Sequence, residues 1–173
     1  SVELKPGQKL VLDTHPLAQA LTLAIYEEAI KAGAHVFIRQ RVPGVDELFF
    51  LYASDAQLDY VSPVYQMIYE TFDARIVLWS EHNTRELSAI DGARLARSSK
   101  AQAPLMKLVM DRTARQEFSW VLTASPTQAM AQDAGMSLRA YEEFVFGAGM
   151  LHLDDPTTFW RELGRRQQSA VDW

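Results

Sequence analysis

The hydrophobic pattern of the chain alternates short apolar runs with longer amphipathic stretches. Four runs rich in β-branched and aromatic residues have the length and composition of buried strands. Between them, apolar residues recur at the three- and four-residue spacing of helices. The alternation predicts an α/β fold, a three-layer sandwich with a mainly parallel, Rossmann- or flavodoxin-like sheet and helices on both faces. The predicted strands are residues 9–13, 35–39, 75–80 and 118–123.

Capping residues, proline and glycine mark the expected ends of the helices. The first helix is capped by Thr14 or His15 and ends at Gly33. A long helix begins at Asp91, and a break or bend is expected near Pro104. The pattern therefore predicts one helix between the first two strands and one between the last two.

Aromatic residues dominate the segment 45–72, which Pro63 divides into two predicted helical pieces. These aromatic side chains could line a ligand pocket, but packing is the favoured interpretation at helical spacing. After Gly135, two helices are expected, capped by Ser137 and Asp155, with Phe144 directed inward.

The turn after the fourth strand is the most informative stretch for locating a site. Ser125 is predicted to cap the next helix, with Pro126 in its first turn and Gln128 completing a capping box. In α/β folds ligands bind beyond the carboxyl ends of the strands, so polar residues there are candidate contacts. Capping alone also accounts for them, and this structural interpretation is favoured. The candidate strand-end contacts are Thr14, His15, His82, Ser125 and Thr127.

Composition and charge exclude several classes of function. The chain has 173 residues, 48% of them hydrophobic, which fits a single α/β domain over residues 1–173. No apolar run approaches a membrane span, and a net charge of -5 leaves no basic surface for nucleic acid. Neither a membrane nor a nucleic acid is therefore an expected partner. The absence of cysteine agrees with a cytoplasmic location. Because the chain opens at Ser1 without an initiating Met, it is expected to be part of a longer protein.

Sequence motifs for catalysis or metal binding are absent. There is no Gly-x-Gly-x-x-Gly after the first strand, no phosphate-binding loop, no Gly-x-Ser-x-Gly and no His-Glu-x-x-His. The four histidines lie in separate segments, and adjacent acidic residues are explained by helix faces and a cap. A metal site assembled from this chain alone is not expected.

The segment from Trp120 to Trp160 resembles the end of the N-terminal domain of the thermophilic metalloaminopeptidase family, the aminopeptidase S and aminopeptidase T type. The opening LKPGQKLVL and the helix end at residues 31–34 are similar too, so the resemblance covers essentially the whole chain. The resemblance rests on the ordered series Trp120, Pro126-Thr127, Ala131-Gln132, Ala134-Gly135-Met136-Ser137, Tyr141 and Asp154-Asp155-Pro156 with Trp160.

The resemblance implies a cytoplasmic, dimeric exopeptidase that removes N-terminal residues from peptides with two divalent metal ions, zinc, cobalt or magnesium. In that family the metal ligands and the catalytic Tyr lie in a separate C-terminal domain, so no catalytic or metal-binding residue is assigned here. The implied role is a non-catalytic N-terminal domain that encloses the substrate cavity or supports a homodimer. Its implied partners are the C-terminal catalytic domain of the same parent chain and peptide substrates. The alternatives are a stand-alone α/β ligand-binding or interaction module, and a small enzyme of its own.

Overall fold

The computed structural model describes residues 2–173, which form two compact units, residues 2–125 and 126–173. The first unit contains the sheet and five helices, and the second contains three helices. The expectation of a single domain over residues 1–173 stays a prediction. Within residues 2–173, no helix combines the length and the apolar character that crossing a membrane requires.

Four strands pair in parallel in the order β2-β1-β3-β4, so the predicted α/β fold with a parallel sheet is confirmed. This order is the one in which flavodoxin-like folds begin, with the first strand between the second and the third. Each strand lies within one residue of its predicted range at either end. The strands are β1 (Lys9–Thr14), β2 (His35–Gln40), β3 (Ala74–Trp79) and β4 (Ser119–Ala124).

The helices of the first unit follow the predicted pattern with two differences. The aromatic segment contains three helices instead of two, because Ser54 forms a capping box with Gln57 and begins an additional short helix. The long helix is continuous through Pro104, so it is not broken there, and the alternative of a bend stays a prediction. The helices are α1 (Gln19–Lys31), preceded by a 3₁₀ turn (Pro16–Ala18), α2 (Val45–Tyr52), α3 (Asp55–Leu58), α4 (Pro63–Thr71) and α5 (Gly92–Ala114).

One cluster of the hydrophobic core of the first unit lies on one face of the two central strands. Leu10 and Leu12 of β1 are fully buried beside Ile76 and Leu78 of β3. Ala29 of α1 belongs to the same buried cluster. Helix α1 therefore covers this face of the sheet, and burial of its apolar side chains is what stabilises the β1–α1–β2 crossover.

The opposite face of the sheet packs against α4. Side chains alternate along a strand, so Asp13 points away from the face that carries Leu12. On the side of Asp13, the Arg39 guanidinium lies over the Tyr65 ring, 4.7 Å from its centroid, and Phe37 meets Phe72 edge to face. Helices therefore cover both faces of the sheet, as the sequence predicts.

The second unit consists of α6 (Gln128–Asp133), α7 (Leu138–Ala148) and α8 (Pro156–Val171). Ser137 and Asp155 cap α7 and α8 as predicted. The prediction that Phe144 points inward is wrong, because its side chain is 65% exposed.

The predicted cap at Ser125 is wrong, because the helix begins two residues later. The amide of Ser125 donates to the carbonyl of Trp79 at 2.8 Å, which continues the pairing of β4 with β3 by one residue. The cap is Thr127, whose hydroxyl accepts from the amide of Met130 at 3.2 Å. Pro126 lies outside the helix, so it precedes the cap instead of following it.

Candidate functional site

The strand order places a candidate site at the carboxyl ends of β1 and β3. The chain leaves β1 towards β2 on one side and leaves β3 towards β4 on the other, so the two connections diverge at this point. Such a divergence opens the crevice in which α/β proteins bind ligands. The residues in question are those that end β1 and those of the loop 80–91 after β3.

Thr14 and His15 organise the start of the crossover helix. The hydroxyl groups of Thr14 and Thr22 are 2.5 Å apart, which ties the end of β1 to α1. His15, and not Thr14, is the cap of the 3₁₀ turn, because its Nδ1 accepts from the amide of Leu17 at 3.2 Å. This hydrogen bond assigns the proton of the neutral ring to Nε2. His15 Nε2 is buried and has no hydrogen-bond partner among residues 2–173.

His82 covers His15. The two rings stack with centroids 5.6 Å apart and planes inclined by 9°. His82 Nε2 lies 3.6 Å from Glu86 Oε1, which also accepts from the amide of Gly44 at 2.7 Å. Burial, and secondarily the neighbouring His82, lower the pKa of His15, so its ring is held in the neutral form.

Ser80 is the other residue of this edge with an unsatisfied buried group. Its hydroxyl and His15 Nε2 are the two buried side-chain atoms that lack a hydrogen-bond partner in the described part of the chain. They therefore do not bond to each other, and no serine–histidine pair of the kind that activates a nucleophile is formed. The arrangement offers two neutral donors at adjacent strand ends, which suits an ordered water or a carbonyl oxygen.

The five residues singled out in the sequence are distributed over both units. Thr14, His15 and His82 come together at the ends of the central strands. Ser125 follows the neighbouring strand, β4, and contributes its backbone amide to the ladder. Thr127 belongs to the second unit, where it caps α6.

The described side chains do not fit a dinuclear metal centre. Among residues 2–173, no group of three or more His, Asp or Glu side chains is placed to hold a metal ion. His35 begins β2, and His152 lies in the second unit. The histidine pair at the strand ends is occupied in stacking and capping.

A charged cluster on the α4 side of the sheet was not anticipated from the sequence. Buried Asp13 accepts from Arg39 Nε and Nη2 at 2.5 and 2.8 Å, and from Arg75 Nε at 2.6 Å. The available signal was that each of these strands carries a charged residue amid apolar ones. That signal does not say which charges meet, because the strand order and the register decide it.

AmpT from Thermus thermophilus, a solved structure, shares the fold with a TM-score of 0.65 and 16% sequence identity. The match covers 84% of this chain and 38% of the AmpT chain, so this chain spans well under half the length of AmpT. No curated protein sequence matches the chain. The profile of the thermophilic metalloprotease (M29) family matches residues 1–173, and the chain therefore belongs to this family.

Proposed function

We propose that this chain is the N-terminal, non-catalytic domain of a cytoplasmic aminopeptidase that depends on two divalent metal ions and releases N-terminal amino acids from peptides. The observation that carries the proposal is the family match over all of residues 1–173. The fold shared with AmpT over 38% of the AmpT chain supports it, because most of that relative lies beyond the matched part.

The proposal assigns the metal ions, zinc, cobalt or magnesium, to a C-terminal catalytic domain of the same parent chain. In such peptidases a metal pair supplies an activated water and polarises the scissile carbonyl. The described side chains do not fit that centre, so no step of peptide hydrolysis is assigned to them. The contribution of this chain is instead to enclose the substrate cavity or to support a homodimer.

Exposed apolar side chains on the sheet support a role in enclosing the substrate cavity or in forming a homodimer. Trp79 of β3 and Trp120 and Leu122 of β4 are each about half exposed. Their positions in the β3–β4 register place them on the same face of the sheet. Large apolar side chains grouped on a surface are typical of sites that another domain or subunit covers.

The test is to measure hydrolysis of amino-acid anilides and short peptides by this chain with cobalt, zinc or magnesium. We expect no turnover by residues 1–173 alone, and no tight pair of metal sites in calorimetric titration. Turnover is expected when the same residues are followed by the downstream part of the parent chain.

Two results would contradict the proposal. Metal-dependent turnover by the chain alone, persisting after further purification and lost in His82→Ala, would favour a small enzyme of its own. A parent chain that extends no further, or remains inactive when longer, would favour a stand-alone ligand-binding or interaction module.

A further inference from the structure

The cluster of Asp13, Arg39 and Arg75 carries an unbalanced charge. Two guanidinium groups converge on one carboxylate, and Asp13 is the only acid that hydrogen-bonds either arginine within residues 2–173. Burial by itself lowers the pKa of Arg39, but the hydrogen bonds and the charge of Asp13 outweigh it and raise that pKa. Because arginine side chains stay protonated in proteins, two guanidinium groups and one carboxylate give the cluster a net charge of about +1.

Three guanidinium nitrogens of the cluster donate no hydrogen bond within residues 2–173. Arg39 uses Nε and Nη2 for Asp13, and Arg75 uses Nε. Arg39 Nη1 and both terminal nitrogens of Arg75 donate to no residue in the described range 2–173. The two side chains are 27% and 26% exposed, so the cluster is partly desolvated but still open to solvent.

Two tyrosines of α4 hold the guanidinium planes in place. Arg39 lies over the Tyr65 ring and Arg75 over the Tyr69 ring, with 4.7 and 5.7 Å from guanidinium carbon to ring centroid. A guanidinium held between a carboxylate and an aromatic face loses little further freedom when it binds an anion. Pre-organised donors of this kind favour tight recognition of a planar anion.

We propose that Arg39 and Arg75 form a binding site for a carboxylate-bearing ligand on the α4 side of the sheet. One carboxylate balances the single excess positive charge, and its planar geometry matches the remaining guanidinium donors. A phosphate dianion would instead leave a net negative charge beside buried Asp13, which is unfavourable in a partly desolvated place. This inference is independent of the proposed peptidase function, because it rests on charge and donor count alone.

Arg97 provides a matched control on the surface of the same unit. It pairs with Asp55 and with Asp59, so one guanidinium there meets two carboxylates. That cluster has the opposite charge imbalance, and it offers no reason to bind a further anion.

The test is titration of the intact chain with acetate and N-acetylglycine, at constant ionic strength, observed through the arginine side-chain NMR signals. Acetate represents a free small acid and N-acetylglycine the carboxyl end of a peptide. We expect saturable shifts of the Arg39 and Arg75 signals with both, none with N-acetylglycinamide, and none at Arg97. Tighter binding of N-acetylglycine than of acetate would identify the carboxyl end of a peptide, and not a free small acid, as the ligand.

Variants test the assignment further. Arg75→Gln should weaken carboxylate binding at least tenfold, Arg75→Lys should weaken it less because the charge remains, and Arg97→Gln should leave it unchanged. If Arg75→Gln fails to fold, the NMR titration of the unmutated protein still tests the proposal, because it reports Arg39 and Arg75 separately from Arg97. Absence of saturable shifts would make the cluster a purely structural ion network and overturn the proposal. Tighter binding of inorganic phosphate than of acetate would overturn the carboxylate assignment.

Discussion

His15 combines two structural roles at the end of β1. Its Nδ1 receives the amide of Leu17, and its ring lies buried beneath that of His82. Both roles require a neutral ring: protonation would place a proton on the accepting nitrogen and a charge in a buried position. At the scale of single residues, the candidate site therefore depends on the protonation state of one imidazole.

The first prediction is that His15 makes stability depend on pH. The pKa of His15 is lowered from 6.5 in the folded state, by burial first and by His82 second. As pH falls below 6.5, the unfolded chain binds the proton before the folded chain does. The stability that His15 contributes is therefore present above this pH and is lost as pH falls through the folded-state pKa.

The variant His15→Asn retains an acceptor for the amide of Leu17 but does not titrate. Denaturant unfolding between about pH 7 and about pH 5 should show a smaller loss of unfolding free energy in this variant than in the original chain. His152→Asn, at an exposed position of the second unit, serves as the control for replacing a histidine by asparagine. Identical profiles for the original chain and His15→Asn would contradict the prediction.

At the scale of secondary-structure elements, the start of α6 shows how neighbouring structure shifts a helix. Ser125 and Thr127 are both good capping residues, and Pro126 between them fits a first turn. The amide of Ser125 pairs with the carbonyl of Trp79, the chain stays non-helical through Pro126, and Thr127 is the cap. The helix thus begins two residues later than the sequence indicates.

The second prediction follows from this assignment of the cap. Thr127→Ala should reduce the free energy of unfolding by about 0.5–2 kcal/mol, because the amide of Met130 loses its acceptor. Thr127→Ser retains a hydroxyl and should recover most of the loss. Ser125→Ala is the matched control, since the Ser125 side chain donates to and accepts from no residue in the range 2–173. A larger loss of unfolding free energy in Ser125→Ala than in Thr127→Ala, measured by chemical denaturation, would restore the assignment of the cap to Ser125.

On the scale of the whole molecule, stability is distributed unevenly. Strand β1 has a parallel neighbour on each side, and Leu10, Val11 and Leu12 are fully buried. Helix α8 has no buried residue. Regions with many buried contacts open only with global unfolding, whereas exposed helices open locally.

The third prediction therefore concerns hydrogen exchange. The amides of Val11 and Leu12 should be among the slowest to exchange, and those in the middle of α8, around Leu163, should exchange far earlier. Native-state exchange followed by NMR measures both in one experiment. Equal protection of β1 and α8 would show that α8 is stabilised by something other than its own burial.

Much of the architecture could be predicted because it is encoded locally. The period of apolar residues decides strand or helix, and caps such as Asp91, Ser137 and Asp155 lie next to the helices that they begin. The parallel arrangement followed from the alternation of elements and the handedness of crossovers. Of the candidate contacts, His15 could be identified as a strand-end residue, although its stacking on His82 could not.

The four strands, their parallel arrangement and most of the helix starts could be predicted, since these depend on short-range patterns. Which side chains meet depends on the three-dimensional arrangement of the strands. Asp13 is separated from Arg39 by 26 residues and from Arg75 by 62, and their contact requires β1 to lie between β2 and β3 in a particular register. Likewise, only the structure shows that Thr127 and not Ser125 caps α6. Charges and hydrogen-bond partners distant in sequence are brought together by burial of the core, which is non-directional and does not specify which of them meet.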